Sequence, residues 1–354
     1  MIVNVLLLIA GMVLLIKGAD LFVDGASRIA KALKIPSLVI GLTLVSMGTS
    51  APEASVSIIS AINGLSNLSI GNIVGSNIFN TLFILGLSSL IIPLSVSKDI
   101  KRLDIPICLA FYVLLIIFAF ATSPLTLDIA ESVILLMLFI LYTALLLIRA
   151  MRSKRKNPLS AELMNNAVLQ TPLYDGSTYK DKNLNESLIQ TGAFTDGKPK
   201  LIVRQKPLWL SIILAAFGLA GIIFGGDLVV DKASGIAKAL GMSEILVGLT
   251  IVAVGTSLPE LVTSVVASIK KENDIAVGNV IGSNIFNVVF ILGISSCINN
   301  LTLTQAALTD MAVMLGSGVL LFVFTLCGKK INRLQGVILL AAYVAYLSYI
   351  IVRN

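Results

Sequence analysis

Two glutamates lie where a charged side chain is costly. Glu53 closes the block Gly48-Thr49-Ser50-Ala51-Pro52-Glu53 and Glu260 closes Gly255-Thr256-Ser257-Leu258-Pro259-Glu260, each about halfway along an otherwise apolar run. Proline removes a backbone donor and frees the carbonyl four residues earlier, so each run must bend or break there. Carbonyls near Ser46 to Thr49 and near Ala253 to Thr256 then become available. Carbonyls, hydroxyls and a carboxylate together form an all-oxygen donor set. Such hard ligands suit Na⁺ and Ca²⁺, and without thiolate or imidazole nearby they argue against Zn²⁺ or Cu⁺.

A plainer reading is that Ser50-x-x-Glu53 and Ser257-x-x-Glu260 are capping boxes, with proline in the first turn of a second half-helix. Capping would explain the pattern in water. In a bilayer centre a glutamate is expensive, and neither Glu53 nor Glu260 has a Lys or Arg at comparable depth, so a cation site is the stronger expectation. Downstream, Asn72, Ser76 and Asn80 are spaced i, i+4, i+8 and share one helical face, as do Asn279, Ser283 and Asn287. Ser76, Asn80, Ser283 and Asn287 are expected nearest the site, and Asn72, Asn77, Asn279 and Asn284 to serve packing beside Gly71/Gly75 and Gly278/Gly282. Asp104 and Asp310 read as helix-opening residues that meet the dipole, and Lys17 as snorkelling or pairing with Asp20.

The elements that must carry these groups are membrane spans. Of 354 residues, 56% are hydrophobic and 13% charged, about half the charge share of a soluble domain. Ten apolar runs of spanning length are predicted: Ile2 to Val23, Leu38 to Ile62, Ile70 to Ile92, Ile105 to Ala121, Ile129 to Ile148, Leu208 to Phe224, Ile245 to Ile269, Ala276 to Ile298, Ala306 to Leu326 and Leu334 to Val352. The first begins at Met1 without a basic segment or cleavage site and is expected to be a retained span. Cys108, Cys297 and Cys327 lack metal-ligand spacing. The chain has no histidine, which removes serine/histidine and zinc/histidine hydrolases; no enzyme activity and no cofactor are expected.

The net charge of +7 reflects topology, not nucleic acid binding. All but four of the 26 Lys and Arg fall on one side of the ten runs; Lys17 lies within a run, and Lys232, Lys238 and Arg353 fall opposite. The positive-inside rule makes that side the cytoplasm and places both termini outside it, in a multi-pass protein of the cell membrane. The partners implied are lipid and ions, with no obligate protein. Residues 150–206 are polar, and a flexible cytoplasmic linker is expected there.

Internal similarity organises the rest. Gly18 to Leu33 returns at Gly225 to Leu240, Gly41 to Glu53 at Gly248 to Glu260, and Gly71 to Asn80 at Gly278 to Asn287, all at an offset of 207 without a gap. With five runs per copy, the second copy is inverted. The expected fold is therefore an all-α membrane protein of ten helices, with five-helix repeats at 1–149 and 207–354 joined by the linker 150–206. Inverted repeats place a substrate site near the midplane and open mirror-related routes to it, which favours alternating access. Two buried carboxylates cannot cross a dry intermediate uncompensated, at several kcal/mol per charge, so cargo must neutralise them; one Ca²⁺ or about two Na⁺ would do so, giving obligatory exchange. Na⁺/Ca²⁺ antiport is expected, with a Ca²⁺/H⁺ antiporter on the same site as the alternative.

At these residues the chain resembles the calcium/cation antiporter superfamily, most closely its prokaryotic sodium/calcium exchanger group. The paired G-T-S-x-P-E and G-S-N-I-F-N blocks carry the resemblance, over about Gly18 to Leu87 and Gly225 to Ile294. It implies a ten-helix fold with ion ligands at Ser46, Thr49, Ser50, Glu53, Ser76, Asn80, Ala253, Thr256, Ser257, Glu260, Ser283 and Asn287, where Ser46 and Ala253 would act through backbone carbonyls. One position departs from the family pattern: Asn287 stands where many relatives carry an aspartate, leaving one acid fewer.

Overall fold

The structure, a computed structural model, describes residues 2–121, 125–156, 189–195, 198–203, 207–239, 253–328 and 330–353. In chain order its helices are α1 (Ile2–Leu33), α2 (Ser37–Thr49), α3 (Ala51–Ile62), α4 (Ser66–Ile91), α5 (Ile100–Phe120) and α6 (Ile129–Lys156). They continue as α7 (Leu208–Ala239), α8 (Ala253–Thr256), α9 (Leu258–Ile269), α10 (Asn273–Ile298), α11 (Gln305–Leu326) and α12 (Arg333–Arg353). Eight of these, α1, α4 to α7 and α10 to α12, are long and apolar enough to cross a membrane. The remaining four are shorter because the chain breaks at Ser50 between α2 and α3 and at Ser257 between α8 and α9. The part of the expected span Ile245 to Ile269 before residue 253 lies outside the described residues, as does most of the expected linker. Within that linker the described residues form a two-stranded antiparallel hairpin, Ile189–Thr195 with Lys198–Val203.

Helices α4 and α10 are innermost: 78% and 89% of their most apolar windows are buried, against 17% for α12. That position explains their sequence, because a helix surrounded by protein can carry a polar stripe that lipid would reject. Around them, α1 and α7 pack backbone to backbone. Gly11, Gly18 and Gly25 recur every seven residues on α1, facing Gly218, Gly225 and Ala215 of α7. A Cβ at Gly18 would sit 2.7 Å from the Ile222 nitrogen, and one at Gly225 would sit 2.6 Å from the Leu15 nitrogen. With no hydrophobic force between helices in lipid, such close approach by small residues is how they adhere.

Two strand clasps tie the first half of the chain to the second. Leu94–Ser95 pairs antiparallel with Lys330–Ile331, and Thr126–Leu127 pairs with Leu301–Thr302. Two ion pairs correct the reading of Asp104 and Asp310. Both lie within helices and not at their starts: Arg149 meets Asp104 at 2.7 Å, and Arg353 meets Asp310 at 2.8 Å. The cause is depth, since Asp104 is fully buried and the helix dipole alone could not compensate its charge. Lys17 is exposed, and Asp20, its expected partner, is held at 2.7 Å by Lys270, which also binds Asp24. The three cysteines are free, with Cys108 buried, Cys297 half-buried and Cys327 exposed.

Because a side chain at Gly218 would collide with the Phe22 backbone, Gly218→Val has no rotamer that avoids α1. Overpacking of this kind costs about 1–3 kcal/mol. The expected outcome is a lower unfolding temperature and a smaller monodisperse fraction in detergent, both read by thermal scanning during size-exclusion chromatography.

Candidate ion-binding site

The site forms where the two chain breaks meet the two innermost helices. Pro52 and Pro259 fall in the first turns of α3 and α9, where the missing N–H costs nothing. Glu53 and Glu260 also sit in those first turns, so each carboxylate lies near the positive end of its helix. Both are fully buried.

Neither serine acts as a cap: no side-chain capping bond forms at Ser50 or Ser257. Their hydroxyls cross to the other half of the molecule. Ser257 Oγ donates to Glu53 Oε1 at 2.8 Å, and Ser50 Oγ donates to Glu260 Oε1 at 2.8 Å. Each carboxylate is thus supported by the serine that precedes its counterpart. Thr256 adds a contact to Glu53 and Thr49 one to Glu260, and the two carboxylates are near enough for their charges to interact. No ion pair to either glutamate exists among the described residues.

The inner helices supply the next groups. Ser76 Oγ accepts from Ser257 Oγ at 3.1 Å, and Ser283 Oγ lies 3.4 Å from Glu260 Oε1 and 3.4 Å from the Ser46 carbonyl oxygen. Ser283 reaches Ser46 because Gly282 lets α10 approach α2 closely: a Cβ there would be 2.8 Å from the Leu42 Cα. The Ser46 carbonyl, however, still accepts the Ser50 amide at 3.0 Å, so it is not a carbonyl freed by proline. The break falls one turn later than that expectation required. Ala253, the position equivalent to Ser46, opens α8.

Asn80 and Asn287 each lie in a π-helical turn, Phe79–Ile84 in α4 and Asn287–Ile291 in α10. Such turns insert an extra residue and re-aim side chains, frequently at functional sites. Asn80 Nδ2 donates to Asn284 Oδ1 at 3.1 Å, and Asn287 Nδ2 donates to Asn77 Oδ1 at 2.9 Å. Of the expected packing residues, Asn72 and Asn279 brace α3 and α9. Asn72 Nδ2 donates to Ser57 Oγ at 2.9 Å and to the Glu53 carbonyl at 3.2 Å, and Asn279 Nδ2 to Ser264 Oγ at 2.9 Å. Asn77 and Asn284 instead touch the site asparagines directly, which spacing along one helix could not reveal. Their one sequence signal was recurrence beside Ser76 and Ser283 at the same offset.

Four buried oxygens remain that no protein donor reaches: Glu53 Oε2, Glu260 Oε2, Asn80 Oδ1 and Asn287 Oδ1. A buried acceptor without a partner costs about 1–3 kcal/mol, and more if it is charged. Symmetric orphan oxygens on these residues fit a hard cation. Among the described residues no third acid, cysteine or histidine joins them, so the negative charge here comes from the two carboxylates alone.

The family model for sodium/calcium exchanger proteins matches this chain in two blocks, residues 3–148 and 210–352. The sodium/calcium exchanger MaX1 of Methanosarcina acetivorans is 36% identical over 98% of this chain and 97% of its own length. The inner membrane protein YrbG of Escherichia coli is 33% identical over 97% of this chain and 95% of its own. Solved structures of the sodium-calcium exchanger NCX_Mj superpose with a TM-score of 0.76 at 30% identity, covering 98% of both chains. With both halves of the chain matched, and with relatives aligned along nearly all of it, this protein belongs to the sodium/calcium exchanger family.

Proposed function

We propose that this membrane protein exchanges Na⁺ for Ca²⁺ by alternating access, with the cations bound at midplane by Glu53 and Glu260. The observation that carries the reading is the pair of fully buried carboxylates, each left with one oxygen beyond the reach of any protein donor. Taking an ionised carboxylate out of water costs several kcal/mol unless a counter-charge accompanies it. One Ca²⁺ or about two Na⁺ supplies that counter-charge through oxygens alone, and Ca²⁺ takes about six to eight of them. Thr49, Ser50, Ser76, Asn80, Thr256, Ser257, Ser283 and Asn287 would complete the shell, with the Ser46 and Ala253 carbonyls at its edges. A site that must be occupied before it crosses from one face to the other couples the two fluxes.

In this reading residues 1–149 and 207–354 are inverted five-helix repeats giving ten crossings, in which α2 with α3 forms one broken span and α9 forms the end of another. What supports the inversion is the equivalence of partners: Ser50 and Ser257, the two glutamates, and the Asp104–Arg149 and Asp310–Arg353 pairs play matching parts in the two halves. Both termini lie outside the cytoplasm, and residues 150–206 lie within it.

The decisive measurement is Ca²⁺ uptake into reconstituted vesicles loaded with Na⁺. An outward Na⁺ gradient is expected to drive uptake; uptake driven by a proton gradient and indifferent to Na⁺ would replace the sodium reading with cation/proton antiport. Glu53→Gln and Glu260→Gln each remove one anionic ligand and are expected to weaken Ca²⁺ binding by about 2 kcal/mol or more, roughly thirtyfold, read as loss of Ca²⁺-dependent thermal stabilisation. For topology, a C-terminal alkaline phosphatase fusion is expected to be active and a C-terminal fluorescent-protein fusion dark.

A further inference from the structure

In resting on the exchanger reading, the following inference adds residues that no ligand set includes. We propose that Asn77 and Asn284 are positioning residues, each turning the amide of the opposite half's site asparagine so that its oxygen, and not its NH₂ group, faces the cation. An asparagine side chain has an accepting end and a donating end of nearly equal size, and only the accepting end binds a metal ion. Asn80 and Asn287 therefore need something that fixes which end points inward.

The hydrogen bonds supply that device. Asn284 Oδ1 takes the NH₂ of Asn80 at 3.1 Å, and Asn77 Oδ1 takes the NH₂ of Asn287 at 2.9 Å. With the donating ends spent, Asn80 Oδ1 and Asn287 Oδ1 are left buried and without a donor. The positioning residues are themselves polarised by acceptors behind them. Asn77 Nδ2 donates to the Asn284 backbone carbonyl at 3.1 Å, and Asn284 Nδ2 donates to Thr81 Oγ1 at 2.9 Å. A backbone carbonyl can only accept, so it admits one orientation of Asn77, which in turn admits one orientation of Asn287. All four asparagines are buried, which keeps water from substituting for either partner.

The arrangement is reciprocal. The second half's Asn284 orients the first half's Asn80, and the first half's Asn77 orients the second half's Asn287. Partners that orient a metal ligand typically change affinity by about tenfold to a hundredfold when removed.

The test is ⁴⁵Ca²⁺ binding to the purified protein in Na⁺-free buffer, measured for wild type, Asn284→Ala, Asn80→Asp and the double variant. Asn284→Ala is expected to weaken binding about tenfold. In the Asn80→Asp background a carboxylate presents oxygen whichever way it turns, so Asn284→Ala is expected to cost little there, about twofold or less. A loss of equal size in both backgrounds, or no loss in the wild-type background, overturns the proposal, because a packing defect would not depend on which group stands at position 80. Asn77→Ala read against Asn287→Asp repeats the test on the other side and serves if the first variant does not fold. Wild-type protein that binds neither Ca²⁺ nor competing Na⁺ overturns the exchanger reading and this inference with it, whereas wild-type binding with Asn284→Ala unaffected overturns this inference alone.

Discussion

Two carboxylates buried beside each other set the terms for everything around them. Each repels its neighbour and has lost its hydration, and no lysine or arginine compensates either one among the described residues. The protein offers only partial relief: the first turn of a helix and a serine hydroxyl at 2.8 Å. Full relief has to come from mobile cations. Because the serine that supports each glutamate precedes the other glutamate, the two carboxylates form one site held by both halves together. Separating the halves would strip each anion of its donor at once, which makes the interface between them the least dispensable contact in the molecule.

The scaffold holds that interface without intruding on it. Helices α4 and α10 bring polar stripes to the centre because the outer helices shield them from lipid. Strand clasps join the halves away from the site, and the Asp104–Arg149 and Asp310–Arg353 pairs fasten neighbouring helices within each half. The glycine seam between α1 and α7 lies outside this core and depends on shape alone. The breaks at Ser50 and Ser257 are tolerated because they face protein; irregular backbone at such depth would otherwise leave polar groups in hydrocarbon.

Much of this was legible in the residues. A repeat at one fixed offset, proline before each glutamate, and apolar runs of bilayer length follow from composition and short-range sterics. The stripe of Ser76 and Asn80, echoed by Ser283 and Asn287, followed from helical periodicity. Local reasoning failed where a side chain had two competing partners. Ser50 and Ser257 satisfied a capping pattern, yet their hydroxyls went to carboxylates 210 and 204 residues away, because a charged acceptor binds a hydroxyl more strongly than a backbone amide does. Asp104 and Asp310 read as helix openers for the same reason: Arg149 and Arg353 are 45 and 43 residues distant, and no local pattern announces them.

By itself, then, the amino-acid sequence determined the lipid-embedded class, the two homologous halves, the places where helices must break and the acids too costly to bury without purpose, since each depends on composition or on neighbours within a few turns. Only the tertiary structure decided that hydroxyls cross between halves, that Ser46 keeps its helical hydrogen bond, and that Asn77 and Asn284 grip the site asparagines. Those outcomes depend on which distant groups come within about 3 Å, and a hydrogen bond's short reach makes that a property of packing, not of order along the chain.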